Sequence, residues 1–218
     1  PYMRVESVTT TMPQTTYNEL LLQRDGARFR WEQFGNSDLT LQDIDGNEVL
    51  KTVRLGIECG RMPEDTGNDV PVIMEKFGLM RDGILNHAAA VLFGKHENME
   101  YPQCLLRLAR FKGMDKTVFM DNQRIHGNFF QLLNAAMAFI FKHLSLSGTT
   151  DTLEREEHLT IPYRAIREGV LNSLAHRSYR DAGGSVSIAI YDDRVEIENP
   201  GSFPPNWDVD KMKSEHES

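Results

Sequence analysis

The sequence of 218 residues is poor in cysteine, has no long apolar run and has no phosphate-binding loop. Its two cysteines, Cys59 and Cys104, have neither metal-ligand nor redox spacing, so we expect free thiols in a reducing compartment. No run approaches the roughly 18 apolar residues of a transmembrane helix, and the N-terminus does not resemble a signal peptide. No G-x-x-x-x-G-K-S/T motif occurs, which excludes the usual helicase motor. We therefore expect a cytoplasmic chain with no membrane partner.

Basic residues are outnumbered by acidic residues, 24 to 32, and the formal net charge is -8. A phosphate backbone requires a locally positive surface, so this charge argues against nucleic-acid binding by the chain as a whole. The most basic segments are residues 24–30 and RLARFKGMDK at residues 107–116. We interpret both as solvated strand faces.

A hydrophobic share of 40% is enough for a buried core in one or two domains.

The first residues of the chain show patterns of both strand and helix. The patterns predict a strand at residues 1–7, a helix at 12–24 and a strand or extended arm at 27–34. A strand at the first residue, without an initial Met, predicts that the chain is part of a longer protein.

A compact helical unit is predicted after these elements. Thr40 and Asp43 have the spacing of a capping box that opens a helix. A turn at Asp82-Gly83 precedes a small apolar helix, for which Asn86 is the expected cap and Gly94 the expected end. A winged-helix-like fold and an acidic helical connector both suit this layout, and we favour the connector.

The pattern changes near residue 101, where a second, α+β region is predicted. Residues 103–113 alternate with period two, as in a strand, and residues 114–127 are rich in turn-forming residues. Residues 128–144 form an apolar segment that predicts a buried core helix. A polar loop is predicted at residues 145–159.

The next predicted helix has an apolar and a polar stripe. The apolar stripe, which we expect to be buried, comprises Tyr163, Ile166, Val170 and Leu174. The polar stripe on the opposite face comprises Arg164, Glu168, Asn172 and His176. An amphipathic helix needs a polar face for solvation alone, so this spacing does not by itself indicate a site.

The residues after this helix favour a functional site over a merely solvated face. AGG ends the helix, and SVSIAIYDDRVEIENPG predicts two alternating strands joined by a turn at YDDR. With the preceding REGVLNSLAHRSYRD, this segment resembles the divergent histidine-kinase-type (GHKL-like) ATPase module of Schlafen-like, AlbA-type transcriptional regulators, many of which are described as RecG-related. The resemblance extends over most of residues 25–205. Residues 1–14 resemble the C-terminal end of the AlbA-type domain.

The resemblance implies a fold and an arrangement of domains. It implies an α+β chain in which a helical middle region precedes a partial GHKL-like (Bergerat-type) α/β sandwich. Four parts are implied: 1–25, the end of an AlbA-type DNA-binding domain; 26–98, a helical connecting region; 99–206, the partial ATPase domain; and 207–218, a tail.

The resemblance also implies ATP and Mg²⁺ as cofactors and assigns roles to individual residues. Glu168 would orient or deprotonate the attacking water, and the amide oxygen of Asn172 would be a ligand of the metal bridging the phosphates. His176 and Arg177 would lie beside the phosphates, where the planar guanidinium of Arg177 suits an anion.

The adenine motif of this class, D-x-G, is matched by Asn199-Pro200-Gly201. A neutral Asn199 still accepts through its carbonyl oxygen, and Gly201 would let the base approach. A Pro-Gly turn at the end of an edge strand explains the same residues equally well. Because the glycine-rich lid is not among residues 202–218, we expect no hydrolysis by this chain alone.

Three functional interpretations stay open. The first is part of a DNA-binding transcriptional regulator whose ATP-binding module acts as a switch, responding to nucleotide or to a partner. The second is an ATP-hydrolysing enzyme, and the third is an interaction module without nucleotide. Expected partners are DNA, bound by the longer protein, and a second copy in a homodimer.

Overall fold

The structure is a computed structural model that describes residues 2–5, 8–13, 31–95, 101–144, 146–149, 156–159 and 161–201. The α-helices of these residues are α1 Gly46–Glu58, α2 Val70–Lys76, α3 His87–Phe93, α4 Phe129–His143 and α5 Tyr163–Ala175. The strands are β1 Tyr2–Val5, β2 Val8–Thr11, β3 Met80–Arg81, β4 Ile84–Leu85, β5 Leu105–Phe111, β6 Phe119–His126, β7 Leu146–Thr149, β8 Glu156–Leu159, β9 Val186–Ile190 and β10 Val195–Glu198. The α+β class is confirmed. The chain has no described helix that is both long and apolar enough to cross a membrane.

Residues 31–95 form a helical unit around α1, α2 and α3. Its core consists of apolar side chains such as Val49, Ile73 and Phe93, which are at most 2% exposed. The β3–β4 hairpin turns at Asp82-Gly83, where both residues have positive φ angles of 51° and 77°. This turn confirms the prediction.

Helix starts in this unit follow from polar caps. The Asn86 side chain accepts a hydrogen bond from the backbone N–H of Ala89 at 3.0 Å, so Asn86 is the expected cap of α3. The capping box of Thr40 and Asp43 is present, but it opens a short 3-10 helix over Leu41–Asp43. Helix α1 begins later, because Asp45 caps it by accepting from two backbone N–H groups.

The second region is a two-layer α/β sandwich. Its four-stranded sheet has the order β10-β9-β5-β6, in which β5 and β9 are parallel and the other pairs are antiparallel. Helices α4 and α5 pack on one face, where Leu106, Leu108 and Ile188 are at most 1% exposed. The core helix predicted at residues 128–144 is confirmed as α4.

A buried cap joins the two regions. Asn128 accepts from the N–H of Gln131 at 3.0 Å, and Oε1 of Gln131 accepts from the Asn128 N–H at 2.9 Å. Asn128 is fully buried, and its Nδ2 donates to the carbonyl oxygen of Gly94 at 3.2 Å. The start of α4 is therefore fixed to the end of the helical unit.

Three predictions of local structure were wrong. Residues 31–33 form a 3-10 helix where a strand or extended arm was expected, and residues 119–126 form strand β6 where turns were expected. Segments 146–149 and 156–159 pair as the antiparallel strands β7 and β8 within the predicted polar loop. Short polar strands are missed because sheet pairing, and not local periodicity, determines them. The strand predicted at residues 1–7 is present as β1, and the helix predicted at 12–24 falls largely outside the described residues.

The prediction that residues 107–116 form a solvated strand face is correct only in part. Arg107 is exposed, but Arg110 is half-buried, and its guanidinium pairs with the Asp192 carboxylate in the β9–β10 turn. Asp192 also accepts from the N–H of Gly113 at 2.8 Å, which attaches the β5–β6 turn to the β9–β10 turn. Register explains the difference, because Arg110 pairs with Ile190 on the core side of the sheet.

Candidate functional site

Helix α5 carries the polar stripe expected from the sequence. Ile166, Val170 and Leu174 are buried, as predicted, against α4 and the sheet. Tyr163 is 47% exposed, so its place in the buried stripe was wrong. Its ring stacks on the exposed ring of Phe141 at a centroid distance of 5.5 Å, at the outer edge of the helical layer.

The opposite stripe of α5 is exposed along its length, at Arg164, Glu168, Asn172 and His176. Asn172 Nδ2 donates a hydrogen bond to Glu168 Oε1 at 3.2 Å. This contact holds one carboxylate and one carboxamide together on a solvent-facing surface. In the described part of the chain, the second carboxylate oxygen and the amide oxygen accept no hydrogen bond, so both remain available as acceptors.

The turn after β10 is seated on the C-terminal end of α5. Asn199 Nδ2 donates to the carbonyl oxygen of Ser173 at 3.2 Å, and the N–H of Ser178 donates to the Pro200 carbonyl at 2.9 Å. A Cβ atom on Gly201 would lie 2.6 Å from the carbonyl oxygen of His176. Glycine is therefore required at 201 by its contact with the helix end.

The fold thus brings the sequence-predicted residues to one part of the molecule. Asn172, His176, Asn199 and Gly201 all lie at the C-terminal end of α5 or against it. Glu168 lies one helical turn, about 6 Å, before Asn172 along the helix axis.

Arg177 is placed differently from a surface phosphate ligand. It is 3% exposed, its Nη2 donates to the carbonyl oxygen of Gly184 at 2.9 Å, and its guanidinium lies 4.8 Å from the centroid of the Tyr179 ring. Nε and Nη1 are buried without a hydrogen-bond partner among the described residues. Burial lowers the pKa of this guanidinium. In this arrangement Arg177 positions the turn before β9, and its role beside the phosphates stays a prediction.

A cleft of about 760 Å³ lies between the helical unit and the end of α5. Glu32 lines it from the helical unit, and His176 and Tyr179 line it from the other side. Glu168 and Asn172 are not among its described lining residues. No local pattern signalled this cleft, because its walls come from segments about 140 residues apart, as Glu32 and His176 illustrate.

The donor set of the polar stripe suits a hard cation. Among the described residues, no three or more His, Cys, Asp or Glu side chains come together as a metal site. The oxygens of Glu168 and Asn172 are nevertheless the atom type that Mg²⁺ prefers, and Mg²⁺ is commonly held by one or two protein oxygens plus substrate phosphates. The residues present therefore fit a nucleotide-bound Mg²⁺ better than a free metal.

Comparison with known protein families finds a match over a short segment. Residues 183–218 match a family described as "Putative ATP-dependent DNA helicase recG C-terminal". That segment begins just before β9 and includes the turn that contacts α5. The match supports an ATPase-like, RecG-related module. The Schlafen-like and AlbA-type assignment stays a prediction.

The fold is similar to that of a solved structure. The DIP2311 protein from Corynebacterium diphtheriae superposes with a TM-score of 0.67 at 14% sequence identity. The similarity covers 100% of this chain and 42% of that protein, so this chain spans less than half of its structural relative. No curated protein matches the sequence.

Proposed function

We propose that the C-terminal end of α5 and the turn at residues 199–201 form part of an ATP-binding site of the histidine-kinase type. The observation that carries the proposal is the Glu168–Asn172 pair. Its two side chains are hydrogen-bonded on an exposed helical face, and the end of that helix is contacted by a segment that matches an ATPase-like family.

The side chains of the pair supply complementary chemistry. The carboxylate of Glu168 can orient a water molecule or take its proton, because it is exposed and has a free oxygen. The amide oxygen of Asn172 is a neutral, hard ligand for Mg²⁺, which would neutralise the charge of the nucleotide phosphates. The Asn172 Nδ2 hydrogen bond directs that oxygen away from Glu168.

Asn199 is suited to contact the base. Its Nδ2 is occupied by the Ser173 carbonyl, so its Oδ1 is the atom left to accept a hydrogen bond from an adenine amino group. The contact with Ser173 also fixes the orientation of the amide, which compensates for the lack of the family's carboxylate.

Calorimetric titration of Mg-ATP and Mg-ADP into the chain tests the proposal. We expect binding that Asn172→Ala weakens at least about tenfold, as a lost charge-assisted contact does. Asn47→Ala, at an exposed position in the first turn of α1, is the matched control and should bind like the parent.

The absence of binding to the parent chain and to any longer form that contains it would contradict the proposal. It would favour the third interpretation, an interaction module in which Asn199 and Gly201 serve only to attach the turn to α5. Unchanged melting of the protein on addition of Mg-ATP would support the same conclusion.

Turnover is the second candidate function, favoured by the exposure of Glu168 to solvent. If a longer protein that contains this chain hydrolyses ATP, Glu168→Gln in that protein should retain nucleotide binding and lose at least about a hundredfold in turnover, the usual contribution of a general base. Unchanged turnover in that variant would remove Glu168 from the mechanism.

The regulatory part of the proposal concerns a longer protein. We infer that nucleotide at the end of α5 biases a DNA-binding part, in the cytoplasm, through the helical unit. The support is the cleft, since His176 lines it and directly follows α5, whose exposed stripe carries the proposed site. Such coupling requires different DNA affinities with and without ATP. A gel-shift titration of the longer protein showing equal affinities would contradict it.

A further inference from the structure

The second face of the four-stranded sheet carries no part of the proposed nucleotide site. Side chains alternate between the faces of a strand, so the residues between the buried ones belong to this second face. We call it the open face, and it includes Asn122 and Arg124 on β6, Arg107 and Ala109 on β5, Ser187 and Ala189 on β9, and Glu196 and Glu198 on β10.

One row across the open face is ordered by charge. Glu198 pairs in register with Ser187, Ser187 with Arg107, and Arg107 with Arg124. The acidic residue is on the edge strand β10, and the arginines are on β5 and the opposite edge strand β6. Strands lie about 4.8 Å apart, so the ends of the row are separated by about 14 Å.

The two arginines are unfavourable neighbours within a single chain. Arg107 and Arg124 are directly opposite in the ladder, and like charges at such positions destabilise a sheet. Both are exposed, and in the described part of the chain neither forms an ion pair. A negatively charged group above this row would relieve the repulsion.

The side chains at the centre of the open face are small. Ala109 and Ala189 are paired across β5 and β9, next to Ser187, so no large side chain stands between the acidic and the basic halves. Two sheets that stack face to face lie about 10 Å apart, and small central residues permit that approach.

We propose that the open face binds a second copy of this chain. The row contains Glu, Ser, Arg and Arg in order, so a two-fold axis parallel to the strands, between β9 and β5, reverses this order in the other copy. Glu198 of one copy then faces Arg124 of the other, and the contact occurs twice, as a two-fold interface requires.

Charge favours this partner over nucleic acid. Glu198 on the same face would repel phosphates, whereas the carboxylate of Glu196 is already paired with Arg194 at 2.7 Å. The chain as a whole carries a net charge of -8. A second copy, in contrast, places a negative side chain opposite the arginines and a positive side chain opposite Glu198. The inference is independent of the proposed nucleotide site, since neither Glu168 nor Asn172 is on the sheet.

Charge reversal tests the proposal by sedimentation velocity at low ionic strength, over a range of protein concentrations and without nucleotide. We expect a monomer–dimer equilibrium that salt weakens. Arg124→Glu and Glu198→Arg should each raise the dissociation constant at least about tenfold, because each places like charges together twice.

The decisive measurement mixes the two variants. In a mixed dimer, one contact keeps the parent pair of Glu198 and Arg124, and the other brings the two substituted side chains together, again with opposite charges. Association should therefore return to within about threefold of the parent. The combined Arg124→Glu/Glu198→Arg protein should be restored in the same way. Arg54→Glu, on the exposed side of α1, controls for the change in net charge and should dimerise normally.

Two results would overturn the proposal. One is a parent chain that stays monomeric at every protein concentration, even at low ionic strength. The other is a mixture of the two variants that associates no better than either variant alone. Circular dichroism of each variant establishes that the exposed substitutions leave the fold intact.

Discussion

Asn199 donates its side-chain N–H to the carbonyl oxygen of Ser173 at 3.2 Å, which attaches the turn after β10 to the last turn of α5. An aspartate at the same position has no proton to donate at neutral pH and would set a carboxylate against a carbonyl oxygen. An amide at position 199 therefore has a reason in packing alone, because only a side chain with an N–H can make this contact with α5 at neutral pH.

We expect Asn199→Asp to lower the free energy of unfolding by about 1 kcal/mol at pH 7, the usual value of one hydrogen bond. A protonated aspartate can donate, so the deficit relative to the parent should shrink as the pH falls below the pKa of the new carboxyl. Urea unfolding of both proteins at neutral and acidic pH measures this. A deficit that does not change with pH would contradict the geometry.

The tight contact at Gly201 gives a second prediction. An alanine Cβ would lie 2.6 Å from the carbonyl oxygen of His176, so the turn must move away from α5. We expect Gly201→Ala to cost about 1–3 kcal/mol of stability, as overpacking does. At Gly183 the nearest atom is 3.4 Å from the same added Cβ, so Gly183→Ala is the control and should change stability by about 0.5 kcal/mol or less.

We expect protonation of Asp121 to account for part of the loss of stability in acid. Hydrogen bonds from Lys142 and then His143 hold the pKa of this carboxyl at about 2, below its ordinary value of 3.8. The unfolded state therefore binds the proton more tightly. The stabilisation is complete above pH 4 and is lost as the pH falls toward 2.

The pH dependence of melting checks this assignment. Asp121→Asn should melt below the parent at pH 6, and the difference should diminish steadily between pH 4 and pH 2. Parallel curves over that range would show that the ion pair between β6 and α4 contributes nothing to acid sensitivity.

The two cysteines should react very differently. Burial raises the pKa of the Cys104 thiol to about 12, and the residue is 1% exposed, whereas Cys59 is exposed. Only Cys59 should be modified by a thiol reagent at pH 8 in the folded protein, and both should be modified in denaturant. Mass spectrometry of the labelled protein counts the modified sites. Cys59→Ser should abolish native labelling, and rapid modification of that variant would contradict the burial of Cys104.

Local sequence was sufficient for the elements with strong periodicity or clear caps. The apolar run of α4, the cap at Asn86 and the hairpin of β9 and β10 were all predicted, because these features depend on neighbours within a few residues. Strand β6 and the β7–β8 hairpin were missed. Their polar residues become strands only because distant segments supply hydrogen-bond partners.

The sequence by itself determined the amphipathic α5 and the spacing that puts Glu168, Asn172 and His176 on one face, since helical geometry fixes both. Tertiary structure decided what that face contacts. Packing places Asn199 and Gly201 against the end of α5 and buries Arg177 in the interior. Strand order places Arg124 and Glu198 on opposite edges of one sheet. These relationships join residues distant in the chain, and they follow from strand order and packing, which no local pattern specifies.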